Sequence, residues 1–172
     1  MIKGTRIDLR LITEKDIELL RVWRNSHSRD FFTKDYLSPQ QQRAWYNKYA
    51  ENSMDKMFIV QLKDSTPIGT IALYNINIAD RTADLGRTLL LEDYRGQGYM
   101  EEAIKLLVNI AFDSMRLWNI RLSVYLDNAA AISLYHKAGF QSSSRPVLLM
   151  EATNSDKSPS KPVTMLDFSE ND

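Results

Sequence analysis

The fold turns on Asp93-Tyr94-Arg95-Gly96-Gln97-Gly98-Tyr99-Met100-Glu101-Glu102-Ala103. An apolar run, Thr88 to Leu91, precedes this stretch and has the character of a strand. Ala103-Ile104-Lys105-Leu106-Leu107-Val108 follows with the apolar spacing of a helix. A glycine-bearing loop therefore joins strand to helix. Gly96 and Gly98 withdraw side chains where a ligand approaches the backbone, and the first turn of the following helix offers unpaired N–H groups to an anion. Glycines also serve plain turns, so on this stretch alone the turn reading stands beside the phosphate reading.

A second segment shifts the balance. After a strand-like run, Ile120 to Leu126, comes Asp127-Asn128-Ala129-Ala130-Ala131-Ile132-Ser133-Leu134-Tyr135-His136-Lys137-Ala138-Gly139-Phe140. Asn128 suits a helix N-cap and Gly139 a helix stop. Ala131 follows Asn128 by three residues and Tyr135 follows Ala131 by one turn, so the three are placed to face one groove.

Together the two segments closely resemble the GNAT superfamily of acetyl-CoA-dependent N-acetyltransferases. Its pyrophosphate loop reads Arg/Gln-x-x-Gly-x-Gly/Ala, and its later helix reads Asn-x-x-Ala-x-x-x-Tyr followed by Gly-Phe. Arg95, Gly98, Asn128, Ala131, Tyr135, Gly139 and Phe140 match, and the resemblance spans residues 4–151. Met100 departs from the motif, which has Gly or Ala there. A larger side chain crowds a pyrophosphate; alternatively it is a core methionine on the helix face. Gly98-Tyr99-Met100 followed by acidic residues and Ala103 is similar to the branch that acetylates ribosomal-protein N-termini. Trp23-Arg24-Asn25 is instead similar to members that acetylate aminosugars.

Composition sets the outer bounds. A chain of 172 residues suits one domain with a substantial core, and 44% hydrophobic residues is ordinary for a globular protein. Lys plus Arg and Asp plus Glu balance at 22 each, which removes a bulk electrostatic argument for nucleic acid. The absence of cysteine excludes a disulfide framework, a thiolate zinc site and a cysteine nucleophile. No His or carboxylate spacing suggests a metal. The N-terminal residues lack the apolar core of a signal peptide, and no apolar run approaches membrane-spanning length. The expectation is a cytoplasmic protein with a small-molecule amine as partner, no nucleic acid and no membrane; a homodimer is compatible with it.

Along the chain, Ile7 to Leu11 alternates apolar and polar like a half-buried strand. Thr13-Glu14-Lys15-Asp16 can cap a helix bearing Ile17, Leu20 and Trp23. Ser38-Pro39 opens a second helix bearing Trp45, Tyr46 and Tyr49. Strands at 57–62, 68–76 and 83–91 form an antiparallel meander, and the order then switches to helix, strand, helix, which favours a parallel pair. A strand through 146–150, a loop at 153–162, a last strand at 163–168 and a frayed tail at 169–172 complete the reading. The expected fold is a single α/β domain, 1–172, with a mixed, twisted sheet flanked by helices; the resemblance implies that its parallel central strands splay.

The resemblance also implies the site. Acetyl-CoA enters the splay, its pantetheine arm pairing with the main chain of Thr88, Leu89 and Leu90. Its pyrophosphate sits on N–H groups of Gly96, Gln97, Gly98, Tyr99 and Met100, with the Arg95 side chain close by. Tyr135 protonates the departing thiolate; a phenol with pKa about 10 holds its proton at neutral pH. Asn128 fixes pantetheine or caps its helix, and Ala131 lines the groove. Asp84 resembles the strand carboxylate of many relatives but lies one residue farther from Tyr94. A bulge would absorb the offset; without one Asp84 points to the other face, and a water chain is the alternative base. Trp23, Arg24, Asn25, Phe31 and Tyr46 are acceptor-side candidates, set against a plain core role for the aromatics. His136 reads as surface, and His27 lies where it would touch substrate. A non-catalytic acyl-CoA sensor would keep the glycine loop and lose the acid and base.

Overall fold

The computed structural model describes residues 1–27, 35–142 and 163–169. Two short strands, β1 (Ile2–Lys3) and β2 (Ile7–Leu11), lead to a 3-10 turn and α1 (Ile17–Ser26). The entry to α1 is fixed by Asp16, whose Oδ2 accepts from the Thr13 amide (2.7 Å) and hydroxyl (2.9 Å). Helix α2 (Pro39–Glu51) opens on a reciprocal cap: the Ser38 amide donates to Gln41 Oε1 at 2.8 Å, and the Gln41 amide to Ser38 Oγ at 3.2 Å. The meander follows as β3 (Lys56–Leu62), β4 (Pro67–Asn77) and β5 (Thr82–Leu90). Then come α3 (Tyr99–Asp113), β6 (Asn119–Tyr125), α4 (Ala129–Lys137), β7 (Gln141–Ser142) and β8 (Val163–Ser169).

These strands form one sheet in the order β1-β2-β3-β4-β5-β6-β8-β7. All pairings are antiparallel except β5 with β6, which is parallel, as the strand–helix–strand order requires. That parallel pairing covers only Thr82↔Asn119, Ala83↔Ile120 and Asp84↔Arg121. Both strands run on, to Leu90 and Tyr125, without further pairing to each other. The sheet therefore opens at its centre.

Each face has its own core. On one, Ala103, Ile104, Leu107 and Ala111 of α3, Tyr135 of α4 and Ala138 just after it pack on alternate residues such as Leu9, Ile71 and Leu85. On the other, Leu20 and Trp23 of α1 and Trp45, Tyr46 and Tyr49 of α2 pack on Met57, Ile59, Ala72 and Leu89.

Boundaries move in informative places. The strand expected at 83–91 is Thr82–Leu90, with Leu91 already introducing a 3-10 turn, and that expected at 120–126 is Asn119–Tyr125. Helix α3 begins at Tyr99 rather than Ala103, because Gly98 (φ 79°) makes the reversal directly before it. The strand expected at 146–150 and the loop at 153–162 lie outside the described residues.

Candidate active site

The opening between β5 and β6 is organised by a bulge. Against β4, Gly86 pairs with Ala72 and Leu89 with Thr70, so β5 carries one extra residue across this interval. Arg87 absorbs it with φ 49°, a left-handed conformation costly for a residue with a Cβ. Three interactions hold it. Thr70 Oγ1 donates to the Arg87 carbonyl at 2.8 Å. The guanidinium clasps Asp55 with two hydrogen bonds, 2.6 and 2.8 Å. It also lies over the rings of Tyr74 (4.9 Å) and Trp45 (5.6 Å).

The bulge inverts the facing of β5. Before it, Ala83 and Leu85 belong to the α3/α4 core; after it, Leu89 belongs to the α1/α2 core. Thr88 is thereby turned toward α4, and its Oγ1 is buried with no hydrogen-bond partner. A hydroxyl in that condition carries a desolvation cost that a polar ligand can relieve. Tyr135, 8% exposed, lies beside it. Burial raises the Tyr135 phenol above its ordinary pKa, and the Thr88 hydroxyl works weakly against this without completing a hydrogen bond. The Phe140 ring packs edge-on against the Tyr135 ring at 6.0 Å.

Asp84 is resolved by the same geometry. It pairs with Tyr74 of the α1/α2 face and sits on the last rung before the strands part. Its carboxylate accepts from Asn75 Nδ2 at 2.8 Å and lies 3.4 Å from Arg121 Nη2. A second bulge in β4 puts Asn75 (φ 50°) within reach. Asp84 and Tyr135 thus approach the opening from opposite faces of the sheet. The Tyr74 phenol between them is raised by burial and then by the Asp84 charge.

At the far end lies the glycine loop. Gly96 (φ 74°) and Gly98 (φ 79°) are both left-handed, and a Cβ on Gly96 would meet nothing within 4 Å, so the loop is open there. No side chain caps the first turn of α3, whose N–H groups are thus available to a ligand. Met100 is 4% exposed and packs in the core, so its side chain does not crowd the loop. Gln97 Nε2 donates to the Asp93 carbonyl at 2.8 Å, which directs that side chain back into the loop. Arg95 Nε donates to the Leu90 carbonyl at 3.0 Å, occupying one of the main-chain acceptors expected to pair with a pantetheine arm.

Other expected site residues have structural duties. Asn128 Oδ1 accepts from the Ala131 amide at 3.1 Å and caps α4, leaving its amide nitrogen as the group for a ligand. Ala131 is half-buried against the α3/α4 core. Trp23, 8% exposed, belongs to the α1/α2 core, and Tyr46 packs on Tyr49 at 5.9 Å. Asn25 donates to the Leu37 carbonyl (3.0 Å) and accepts from its amide (2.9 Å), tying α1 to the approach to α2. Arg24 is half-buried; burial lowers its pKa, with Asp35 opposing. Phe31 lies outside the described residues. His27 Nδ1 contacts the Trp23 carbonyl at 3.0 Å at the end of α1, and the exposed His136 contacts the Phe140 carbonyl at 2.9 Å. Arg87, Asp55, Thr70, Tyr74 and Arg121 carry no sequence motif that marks them for this site. Among the described residues no group of His, Asp and Glu is placed to hold a metal, and no helix is long and apolar enough to cross a membrane.

Parallel strands part around a buried hydroxyl, with an anion-ready helix start at one end, an arrangement that suits an acyltransferase taking a CoA thioester. The family profile described as Acetyltransferase (GNAT) domain matches residues 6–141. The chain belongs to the GNAT acetyltransferase family. It is an N-acetyltransferase with acetyl-CoA as co-substrate. The protein named "Probable N-acetyltransferase YjcK" from Bacillus subtilis (strain 168) is 32% identical over 81% of this chain and 83% of its own. Spermidine N(1)-acetyltransferase of Vibrio cholerae is 24% identical over 80% of each chain. A crystal structure of spermidine N-acetyltransferase from Vibrio cholerae, in complex with CoA and spermine, superimposes with a TM-score of 0.83 at 21% identity, covering 95% of both chains.

Proposed function

We propose that this chain, read as one acetyltransferase domain over 1–172, transfers the acetyl group directly to the primary amine of a small molecule in the opening between β5 and β6. One observation carries the reading: Asp84 and Tyr135 reach the opening from opposite faces of the sheet. An amine attacking a thioester carbonyl sheds a proton on its side of approach, while the sulfur departs on the other and needs one. Asp84 or a water it holds takes the amine's proton. Tyr135, kept protonated by burial, gives its own to the CoA sulfur. Without cysteine in the sequence, the donor acyl group has no thiol to rest on, so a single displacement is favoured.

The donor threads the opening with pantetheine along Thr88 and Leu89 and pyrophosphate on the amides of Gly96 to Met100. The acceptor enters from the α1/α2 face, past Tyr74 and Asp84. The relatives named for spermidine place polyamines at the head of any acceptor panel. The carboxylates of Asp84 and Asp55 each already face an arginine, which favours amines of low charge over polycations. We place the reaction in the cytoplasm. We also expect self-association, since one Vibrio cholerae relative is described as dodecameric.

The test is CoA release from acetyl-CoA across polyamines, aminosugars, simple alkylamines and peptide N-termini, with the product identified by mass. Release driven by a small amine supports the reading. Release only with peptide N-termini replaces the acceptor class, and CoA binding without turnover on any amine leaves the sensor role.

A further inference from the structure

The glycine loop is held from behind by a residue far away in the sequence. Arg6 follows β1, and its Nη1 donates to the Gln97 carbonyl at 2.7 Å. Its Nε donates to Glu102 Oε2 at 3.0 Å, and its guanidinium lies 4.9 Å from the centre of the Tyr99 ring. Glu102 is itself anchored, accepting through Oε1 from the Thr5 amide (2.7 Å) and the Arg6 amide (2.8 Å). The arginine is thus fixed at three points before it grips the loop.

In a trans peptide the C=O and the following N–H point in opposite directions. Holding the Gln97 carbonyl on the Arg6 side therefore turns the Gly98 N–H to the opposite side, into the loop. Glycine residues flanking a peptide make it easy to flip, and Gly98 with φ 79° is the residue after this one. A flipped peptide would present a carbonyl oxygen to an anion in place of a donor. A Cβ on Gly98 would also come within 3.1 Å of Arg6 Nη2, so the glycine leaves room for the guanidinium.

We propose that Arg6 is a positioning residue for the donor: by gripping the Gln97 carbonyl it locks the Gln97–Gly98 peptide with its N–H toward the CoA pyrophosphate. This rests on the proposed seating of the pyrophosphate at Gly96 to Met100. Arg6 acts on the diphosphate alone, so a donor without one does not report its loss.

The experiment compares kcat/KM for acetyl-CoA and for S-acetylpantetheine, which lacks the diphosphate, with an amine the enzyme accepts. For Arg6→Ala the value with acetyl-CoA falls roughly tenfold, the scale of one charge-assisted hydrogen bond no longer held in place. The value with S-acetylpantetheine stays as in the wild type. Arg6→Lys, which keeps one donor for the Gln97 carbonyl, recovers part of the loss. Should Arg6→Ala fail to fold, Arg6→Met keeps an unbranched side chain of similar reach without the guanidinium and carries the same expectation. An unchanged kcat/KM for acetyl-CoA overturns the proposal. So does an equal fall with both donors, which would mark a general structural role. If the wild type itself does not prefer acetyl-CoA, the seating of the pyrophosphate fails, and the role of Arg6 with it.

Discussion

Replacing Tyr135 by Phe removes one oxygen from a side chain only 8% exposed. The ring keeps its edge-on contact with Phe140, and no cavity larger than a hydroxyl forms. The lost group makes no full hydrogen bond, since its neighbour Thr88 Oγ1 is itself without a partner. Folding stability should therefore change by less than about 1 kcal/mol. Turnover should respond quite differently. A positioned acid contributes about 10²-fold or more, which corresponds to roughly 2.7 kcal/mol of barrier. Binding of acetyl-CoA should hold, because the proposed seating of the donor uses backbone groups elsewhere. The assay is thiol release at saturating acetyl-CoA and amine, with donor affinity by calorimetry and a thermal melt alongside. Burial raises the Tyr135 pKa, so the acid remains protonated throughout the neutral range, and the wild-type rate should show no falling limb from this group near pH 7. Turnover equal to the wild type, with chemistry shown to limit the rate, would refute the reasoning and hand protonation of the thiolate to water.

Gly98→Val forces a branched side chain into a φ of 79° and toward Arg6; acetyl-CoA affinity by calorimetry should fall more than tenfold, roughly the cost of a strained backbone plus a displaced donor. Asp55→Ala releases the Arg87 guanidinium that holds the bulge. Denaturant unfolding should show a loss of about 1–3 kcal/mol, and turnover should fall with it because Thr88 is no longer held toward Tyr135. Asp8, nearly sealed from solvent, has its pKa lowered from the ordinary 3.8 to about 2 by hydrogen bonds from Lys63 and then Lys3. A depressed carboxyl pKa contributes stability that is complete above the unfolded value and fades as pH falls through the folded one. Wild type should therefore lose stability between about pH 4 and about pH 2 more steeply than Asp8→Asn, as acid titration followed by circular dichroism would show.

The sequence was most readable where local chemistry and tertiary demand agree. Gly96, Gly98 and the run into α3 announce a loop and a helix start because only glycine takes φ near 75° without strain. Ser38-Pro39 and Asn128 announce helix starts because their side chains or ring fit that one place. The parallel pair followed from the order of elements alone.

Arg87 shows where legibility ends. Its left-handed backbone is imposed by Thr70, Asp55, Trp45 and Tyr74, all distant in sequence, and nothing in the local stretch marks it. The offset of Asp84 from Tyr94 leaves its facing open in the sequence, and the bulge at Arg87, held by distant residues, decides it. Trp23 and Asn25 show a different limit. An aromatic and an amide beside an expected acceptor site suit either a contact or a structural duty; Trp23 packs in the α1/α2 core and Asn25 binds the main chain of Leu37. Residue type alone does not distinguish the side of a helix that meets a ligand from the side that meets the sheet.

A crystal structure with CoA bound tests the central claim most directly. The account predicts pantetheine running between β5 and β6 past the opening at Asp84 and Arg121, its pyrophosphate on the amides of Gly96 to Met100, and its sulfur within hydrogen-bonding reach of the Tyr135 hydroxyl. CoA bound elsewhere on the molecule, or in the opening with its sulfur remote from Tyr135, would contradict it.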